Sequence, residues 1–369
     1  MENRICVYAI AKNEEKHVDA WVDSVKEADH IAVLDTGSTD GTVQRLRDRG
    51  VHVEQKIYDH FRFDQARNDS LKLIPEDCNI CVVSDLDEYY SPGWADALRE
   101  AWIDGTHERA VYGYTYRDDT AYVMRRNWIH SKNWSWKFPC HEVMIRNSDG
   151  EIWHYPYETL DISDKIILRH FPDQTKSRKL YLDLLRIRYK ENPDDAFSHI
   201  YLIRELMLRK LWDEVLADEE HIEEKIKEYS ASDACTLLTY LGDVHCEKNN
   251  LDNGVSFYYR AIRTYPGSRA PYLRLAQRLI DKKLCYMARD ILLECLRDSV
   301  KTPKWTWLDS NDLWTWKVYG KLCEICYFAG DYDGAVKYAE LGLEQDPDNE
   351  QLKQNLETSR RKAGKQWKC

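Results

Sequence analysis

The sequence NICVVSDLD at residues 79–87 decides the fold of the first half of the chain. Its apolar run is short, rich in valine and isoleucine, follows Pro75 and ends in acids, a pattern typical of a buried β-strand. Asp85 and Asp87 stand at the end of this strand, separated by one residue. Mg²⁺ and Mn²⁺ prefer carboxylate oxygens and commonly share them with substrate phosphates. The stretch therefore predicts a metal and pyrophosphate site at a strand end.

Strand and helix patterns alternate in the residues before this stretch. Strands are predicted at 5–10, 30–34, 51–54 and 79–84, with helices between them at 13–26, 41–49 and 64–73. Short helices between strands imply parallel pairing with right-handed crossovers. Because ligands of such sheets bind beyond the carboxyl ends of the strands, we expect Asn13, Asp35 and Asp85 to lie near one ligand.

Long amphipathic helical patterns replace the strand patterns from about Lys176 onward. Turn-forming sequences recur about every 35 to 45 residues, a spacing within the range of helical-hairpin repeats. The clearest unit, residues 316–347, resembles a tetratricopeptide repeat, with small residues where two helices would cross. We therefore predict an α/β domain at residues 1–175 and an all-α helical-hairpin solenoid at residues 176–369, ending in a capping helix and a tail.

Composition narrows the functional classes. The 369 residues suffice for about two domains, and 43% of them are hydrophobic. The net charge of −11 disfavours nucleic acid as a partner, because sequence-independent binding requires a basic face. We interpret the local basic stretch at residues 186–190 (RIRYK) as a solvated helix face.

The cysteines favour a reducing compartment. The chain has 11 of them, and the CxxC pair Cys323 and Cys326 lies in a helical pattern with no second pair nearby. We interpret this pair as small core residues rather than a zinc site. With no signal peptide and no apolar stretch long enough to span a bilayer, the sequence predicts a cytoplasmic location.

Four elements of the first half together resemble glycosyltransferase family 2, the inverting nucleotide-sugar transferases with the GT-A fold. They are AKNEE at residues 11–15, DTGSTDGT at 35–42, FRFDQARN at 61–68 and DLDE at 85–88. Their order, spacing and positions after predicted strands agree with that family. The resemblance covers residues 3–175 and implies a GT-A, Rossmann-like domain with a mainly parallel sheet.

The resemblance implies a donor site built from the polar residues of these elements. Asp35 would accept hydrogen bonds from the base or ribose, and Arg67 would hold a diphosphate oxygen or fix a carboxylate. The other implied donor contacts are Ala11, Asn13, Glu14, Ser38, Asp40, Asn68, Asp85 and Leu86. Capping of the following helix explains Ser38 and Asp40 equally well.

The resemblance also implies a metal and a base. Asp87, with Asp85 and with His170 at the end of a later strand pattern, would bind Mn²⁺ or Mg²⁺. An inverting transfer needs one base to take the proton of the acceptor. Glu142, at the end of the aromatic stretch 134–142, is the first candidate for this base, and Asp119 with its neighbour Asp118 is the alternative.

The sequence thus predicts a metal-dependent glycosyltransferase that uses a nucleotide-sugar donor, with UDP favoured, to transfer a hexose or an N-acetylhexosamine. Fusion to helical repeats resembles bacterial and prophage-encoded peptide glycosyltransferases, which suggests a peptide or protein acceptor. Polysaccharide acceptors and a homo-oligomer formed through the repeats stay open. The alternatives are a non-catalytic adaptor with a degenerate nucleotide fold and an enzyme that glycosylates a DNA base.

Overall fold

The computed structural model describes residues 2–117, 123–148, 150, 159–173, 179–297, 300 and 306–366. The chain divides into two compact units, Met1–Arg188 and Tyr189–Cys369. The first unit is built on a sheet, and the second is helical. The predicted order of an α/β domain followed by an all-α domain is therefore confirmed.

The first unit begins with the predicted alternation of strands and helices. The elements are β1 (Ile5–Ala11), α1 (Val18–Val25), β2 (His30–Asp35), α2 (Thr42–Asp48), β3 (His52–Gln55), α3 (Phe63–Leu71) and β4 (Ile80–Val83). β1 lies between β2 and β4 and runs parallel to both, with Ala11 opposite Asp35 and Tyr8 opposite Val83. Because the strands are parallel, the loops that follow them leave from the same edge of the sheet.

The rest of the first unit adds strands of mixed direction. They are β5 (Glu88–Tyr90), β6 (Arg109–Tyr116), β7 (Met124–His130), β8 (Trp134–Lys137), β9 (Val143–Arg146), β10 (Thr159–Asp161) and β11 (Ile167–His170), with the helices α4 (Trp94–Ala101) and α5 (Lys179–Glu191). Over the described residues the main sheet has the order β3-β2-β1-β4-β7-β6-β11-β5, and β10 pairs with β6. β7 is antiparallel to both of its neighbours, and β5 is antiparallel to β11. β8 and β9 form a separate pair.

Burial explains why the parallel strands are so apolar. Val7, Val33 and Val82 on neighbouring strands are fully buried, and Trp21 of α1 and Trp94 of α4 belong to the same core. Strands covered by helices on their faces read as continuous hydrophobic runs rather than as alternating patterns. This core fixes the strand ends from which the polar loops project.

The second unit consists of helices in its described part. They are α6 (Ala196–Leu208), α7 (Trp212–Ala217), α8 (Glu219–Lys225), α9 (Ala231–Glu247), α10 (Leu251–Thr264), α11 (Ala270–Asp281), α12 (Cys285–Cys295), α13 (Asn311–Trp314), α14 (Lys317–Phe328), α15 (Tyr332–Gln345) and α16 (Glu350–Gln366). Side chains cap several of them, as where Asn250 accepts a hydrogen bond from the N–H of Asn253 and Asp331 accepts one from Gly334. Short capped turns thus join α9 to α10 and α14 to α15.

Small residues lie where these helices pack, as the repeat pattern predicted. A Cβ atom on Gly242 would stand 2.8 Å from a ring carbon of Tyr258, and one on Gly342 would stand 2.8 Å from Leu352. Cys323 and Cys326 are both buried in the described core and are free thiols, in agreement with their interpretation as small core residues. In the part of the chain that the structure describes, no helix is both long enough and apolar enough to cross a membrane.

Candidate active site

The loop after β2 is built around the carboxylate of Asp35, which is fully buried. Its Oδ1 accepts hydrogen bonds from the N–H groups of Gly37 at 3.1 Å and Ser38 at 3.0 Å, and the hydroxyl of Ser38 also donates to the carboxylate. Gly37 has a φ of 106°, which a residue without a Cβ adopts at little cost. Asp35 therefore shapes the turn at the strand end where a donor contact was predicted.

The loop after β1 is joined to the loop after β2. Asn13, at a φ of 56°, donates its N–H to Oγ of Ser38 at 2.8 Å, and its side-chain oxygen accepts the N–H of Thr39 at 2.8 Å. The carbonyl of Ala11 accepts the N–H of Thr36 at 2.8 Å. The two strand ends that the family resemblance assigned to the donor thus share one hydrogen-bonded loop pair.

The start of α2 fixes the next two predicted donor contacts. Oδ1 of Asp40 accepts the N–H of Thr42 at 3.0 Å, so Asp40 takes part in starting the helix. The N–H of Glu14 donates to Oγ1 of Thr42 at 2.7 Å. Asp40 therefore forms a turn just before α2, whose N-cap residue is Gly41.

Arg67 of α3 is the central cation of the site. Its side chain is 4% exposed, its Nη1 lies 3.1 Å from Oδ1 of Asp85, and its Nε lies 2.5 Å from Oε1 of Glu142. Burial by itself lowers the pKa of Arg67. The carboxylates of Asp85 and Glu142 raise this pKa by more than burial lowers it, so the net pKa is above the usual range. The structure thus brings the predicted base and the first acid of the DLDE element to one guanidinium group.

Two tryptophans enclose this guanidinium group. Its central carbon lies 4.8 Å from the ring centroid of Trp128 on β7 and 5.1 Å from that of Trp136 on β8. Trp136 also donates from Nε1 to the hydroxyl of Tyr8, which lies 2.8 Å from Nε2 of His130. The arginine is therefore fixed by ring contacts as well as by ion pairs.

Asp87 and His170 meet at the end of β11. Oδ2 of Asp87 lies 3.3 Å from Nε2 of His170, and Nδ1 of the same ring is hydrogen-bonded to the hydroxyl of Tyr114. Burial by itself lowers the pKa of His170. The carboxylate of Asp87 raises this pKa by more than burial lowers it, so the net pKa is above the usual value. Burial also raises the pKa of Tyr114 to about 12.

A second ion pair adjoins Asp85. Glu88, which is 1% exposed, accepts a hydrogen bond from Arg126, and its Oε2 accepts the N–H of Asp85 at 3.1 Å. Burial raises the pKa of Glu88 and Arg126 opposes that rise. The guanidinium carbon of Arg126 lies 3.4 Å from the ring centroid of Trp128, the tryptophan that also contacts Arg67.

This cluster brings two of the three predicted metal ligands, Asp87 and His170, together, whereas among the described residues Asp85 forms no group of three ligand atoms with them within 4.8 Å. Its carboxylates are Asp85, Asp87, Glu88 and Glu142, and its guanidinium groups are Arg67 and Arg126. The acids therefore exceed the arginines by two charges. Ligands of an octahedral ion about 2.1 Å away lie roughly 3 Å apart, which is close to the 3.3 Å between Asp87 and His170. Asp85 is 32% exposed and faces Arg67.

Another group of side chains that can ligate a metal ion lies near the start of β2. Possible ligand atoms of His30, Asp77 and Cys78 lie within 4.8 Å of one another. Arg4 is already bound there, because its Nη2 lies 3.1 Å from the ring of His30 and its Nη1 pairs with Asp77. A guanidinium group thus holds the position that a metal ion would need.

Some predicted site residues have other contacts. The side chain of Asn68 donates to the carbonyl of Trp136 and accepts its N–H, both at 2.8 Å, so it ties α3 to β8. Leu86 is 1% exposed and its side chain belongs to the hydrophobic core, so a contact of Leu86 with the donor would have to use its backbone. Asp118 and Asp119 lie outside the described residues.

Sequence reasoning missed Arg126, Tyr114 and Trp128. Arg126 follows Arg125 in a segment that reads as polar, and nothing local distinguishes the half-buried Arg126 from the exposed Arg125. The only available signal was the acid Glu88, which needs a cationic partner if it is buried beside Asp85 and Asp87.

Comparison with known proteins identifies the first unit. Residues 6–175 match the family profile described as Glycosyl transferase family 2. A search of curated proteins gave no match.

The solved structures that resemble this chain do so at low scores. TTC0263, a thermophilic TPR protein of Thermus thermophilus, is 19% identical with a TM-score of 0.35, covering 48% of this chain and 88% of that chain. The MamA protein is 14% identical with a TM-score of 0.34, covering 45% of this chain and 81% of that chain. Glucosyl-3-phosphoglycerate synthase from Mycobacterium tuberculosis, in complex with Mn²⁺, UDP and glucosyl-3-phosphoglycerate, is 24% identical with a TM-score of 0.27, covering 31% of this chain and 45% of that chain. These scores are too low to transfer function.

The motif order, the parallel strand ends and the profile match agree with one another. The chain carries a glycosyl transferase family 2 domain at residues 6–175, followed by tetratricopeptide-like helical repeats.

Proposed function

We propose that this protein is an inverting, metal-dependent glycosyltransferase that moves a hexosyl or N-acetylhexosaminyl group from a UDP-sugar to a peptide or protein. The observation that supports this most is the double ion pair of Arg67, which joins Glu142 to Asp85. Glu142 is the base candidate, and Asp85 belongs to the donor side. One buried cation thus links the groups that would serve the two substrates.

On the donor side, the joined loops after β1 and β2 would receive the nucleoside. Oδ1 of Asp35 already accepts hydrogen bonds from Gly37, Ser38 and Gln55, and Oδ2 accepts the hydroxyl of Ser38, so a ribose or base donor would use the remaining lone pair of Oδ2. Ala11, Asn13 and Glu14 would border the nucleoside from the neighbouring loop. Asp87 and His170 would hold Mn²⁺ or Mg²⁺, with Asp85 near them, and the ion would offset the charge that develops on the leaving nucleoside diphosphate.

On the acceptor side, Glu142 would take the proton from the attacking group. Its side chain is 9% exposed, and the residue before it, His141, is exposed. Arg67 would hold the Glu142 carboxylate in one orientation, because a guanidinium group presents its donors in a rigid plane. Inversion requires this base on the face of the sugar opposite the leaving group.

The helical repeats support a peptide or protein acceptor. Helical-hairpin arrays offer extended surfaces on which a peptide can lie. A polysaccharide acceptor would not need such a unit. The repeats would then select the acceptor while the family 2 domain carries out the transfer.

The test is release of sugar from a panel of UDP-sugars by the full chain with Mn²⁺, with water as the acceptor. We expect Asp87→Ala to abolish turnover and Asp96→Ala, an exposed acid on α4, to leave it unchanged. Turnover by Asp87→Ala at the wild-type rate would contradict the metal site. A wild-type protein that turns over no nucleotide sugar with either metal would support the adaptor alternative instead.

A further inference from the structure

A buried arginine of α5 holds the loop that leads to Glu142. Arg188 is 1% exposed, and its Nη1 donates to the carbonyl oxygens of Cys140 at 3.1 Å and His141 at 2.8 Å. Its guanidinium carbon lies 3.9 Å from the ring centroid of Phe138. The interpretation of residues 186–190 as a solvated helix face is therefore wrong for Arg188, although Arg186 and Lys190 are exposed.

The loop at residues 138–141 needs such support because its backbone is unusual. Phe138 has a φ of 81° and His141 a φ of 49°, both in the left-handed region that residues with a Cβ rarely adopt. Such conformations persist only where the surrounding structure enforces them. Glu142 follows the second of these residues directly, so the direction of its side chain depends on the loop conformation.

Two helices, α3 and α5, contact this loop. The N–H of Phe63, at the start of α3, donates to the carbonyl of Pro139 at 3.0 Å. The ring of Tyr181, on α5, lies 5.8 Å from the ring of His141 and 6.1 Å from that of Phe63. Tyr181 and Arg188 are two helical turns apart, so they lie on the same face of α5. Since α3 also carries Arg67, these contacts set the distance between Arg67 and Glu142.

We propose that Arg188 is a positioning residue for glycosyl transfer, which keeps Glu142 against Arg67 by fixing the loop at residues 138–141. The functional unit therefore extends beyond the profile match at 6–175 and includes α5 as far as Arg188. This inference rests on the proposed role of Glu142 as the base. Arg188 itself lies behind the loop and contacts its carbonyl groups, so it would act through Glu142 rather than on the substrate.

The experiment compares Arg188→Met with Arg186→Met in the full chain. Arg186 lies on the same helix, is 45% exposed and pairs with Asp183, which makes it a matched control. We expect Arg188→Met to reduce kcat for UDP-sugar hydrolysis with Mn²⁺ about 100-fold, since small displacements of a reacting group cost this much. The Kd for UDP should change less than about threefold, because the described contacts of Arg188 are with the loop that leads to Glu142. Arg188→Lys, which keeps a charged donor nitrogen but lacks the planar guanidinium group, should fall between the two.

Hydrogen exchange of peptides covering residues 137–143 provides a readout that does not depend on activity. We expect faster exchange there in Arg188→Met and no change in Arg186→Met. Unchanged kcat and exchange in Arg188→Met would overturn the proposal, and so would a loss of UDP affinity as large as the loss of kcat, which would indicate general unfolding. If Arg188→Met does not fold, Arg188→Lys decides by the same criteria. If the wild type hydrolyses no UDP-sugar, the proposed function fails, while the exchange data still test whether Arg188 holds the loop.

Discussion

Glu142 is the residue whose replacement separates binding from chemistry. Its carboxylate pairs with Arg67, and Glu142→Gln keeps the shape and one accepting oxygen while removing the charge and the basicity. We expect turnover to fall between about 100-fold and 10,000-fold, the range for loss of a general base. UDP binding, measured by calorimetry with Mn²⁺, should persist. Glu76→Gln on the surface serves as the control, and wild-type turnover in Glu142→Gln would exclude it as the base.

His130 makes the stability of the first unit depend on pH. Burial lowers the pKa of this histidine to about 3, and the ring stays neutral beside Tyr8. The unfolded chain binds a proton at His130 near pH 6.5, while the folded chain does not, so the unfolded state binds more protons between these two values. The free energy of unfolding should therefore fall by up to about 1.4 kcal/mol per pH unit as the pH drops below 6.5.

The measurement is urea unfolding across this pH range for the wild type and for His130→Asn. The variant has no titrating ring at this position, so its stability should depend less steeply on pH between about 3 and 6.5, whatever its stability at neutral pH. Parallel pH profiles for the two proteins would show that His130 is not the source of the effect.

At the scale of the elements, β5 and β7 supply the pair Glu88 and Arg126. Glu88 is 1% exposed and Arg126 is 19% exposed, so Glu88→Gln leaves a largely buried guanidinium group without its charged partner. We expect a loss of about 3 to 5 kcal/mol of unfolding free energy. The double variant Glu88→Gln/Arg126→Gln should lose less than the sum of the two single changes.

Urea unfolding of the four proteins of this cycle measures the coupling. Asp161→Asn is the control, because its pair with Arg125 on the same strand β7 is exposed and should contribute about 1 kcal/mol or less. Additive losses in the cycle would contradict the conclusion that Glu88 and Arg126 stabilise each other.

These elements also show which parts of the fold could be predicted from the sequence. β1, β2 and β4 could be predicted because each is a parallel strand with a continuous apolar run, and the acids at the ends of β2 and β4 carried two of the family motifs; β3 is mostly exposed. β7 could not be predicted, because its charged residues obscure the strand pattern and Arg126 is neutralised by an acid 38 residues earlier in the chain. Asn68 was expected at the donor, and its contact with the backbone of Trp136 depends on β8, whose position in the fold no local pattern gives.

At the scale of the whole molecule, a substitution that destabilises the helical unit should leave nucleotide binding unchanged. A Cβ on Gly242 would meet Tyr258 at 2.8 Å and the carbonyl of Gly254 at 3.1 Å, whereas one on Gly364 meets nothing within 4 Å. Gly242→Ala should therefore cost about 1 to 3 kcal/mol through overpacking, while Gly364→Ala should be neutral or slightly stabilising.

Calorimetric scans with and without UDP and Mn²⁺ test this separation. The ligands should raise the unfolding temperature of the family 2 domain by mass action, and Gly242→Ala should leave the Kd for UDP unchanged. A weakened Kd in Gly242→Ala would show that the packing of α9 and α10 affects the donor site.

The position of β7 between β4 and β6 has a consequence for biosynthesis. Pairs such as Val82 with Ile129 join β4 to a strand that leaves the ribosome long after it. Until then β4 has one unpaired apolar edge, and such an edge can template pairing with another chain. Nascent chains that stall before residue 130 therefore expose an apolar strand edge that a chaperone would have to cover.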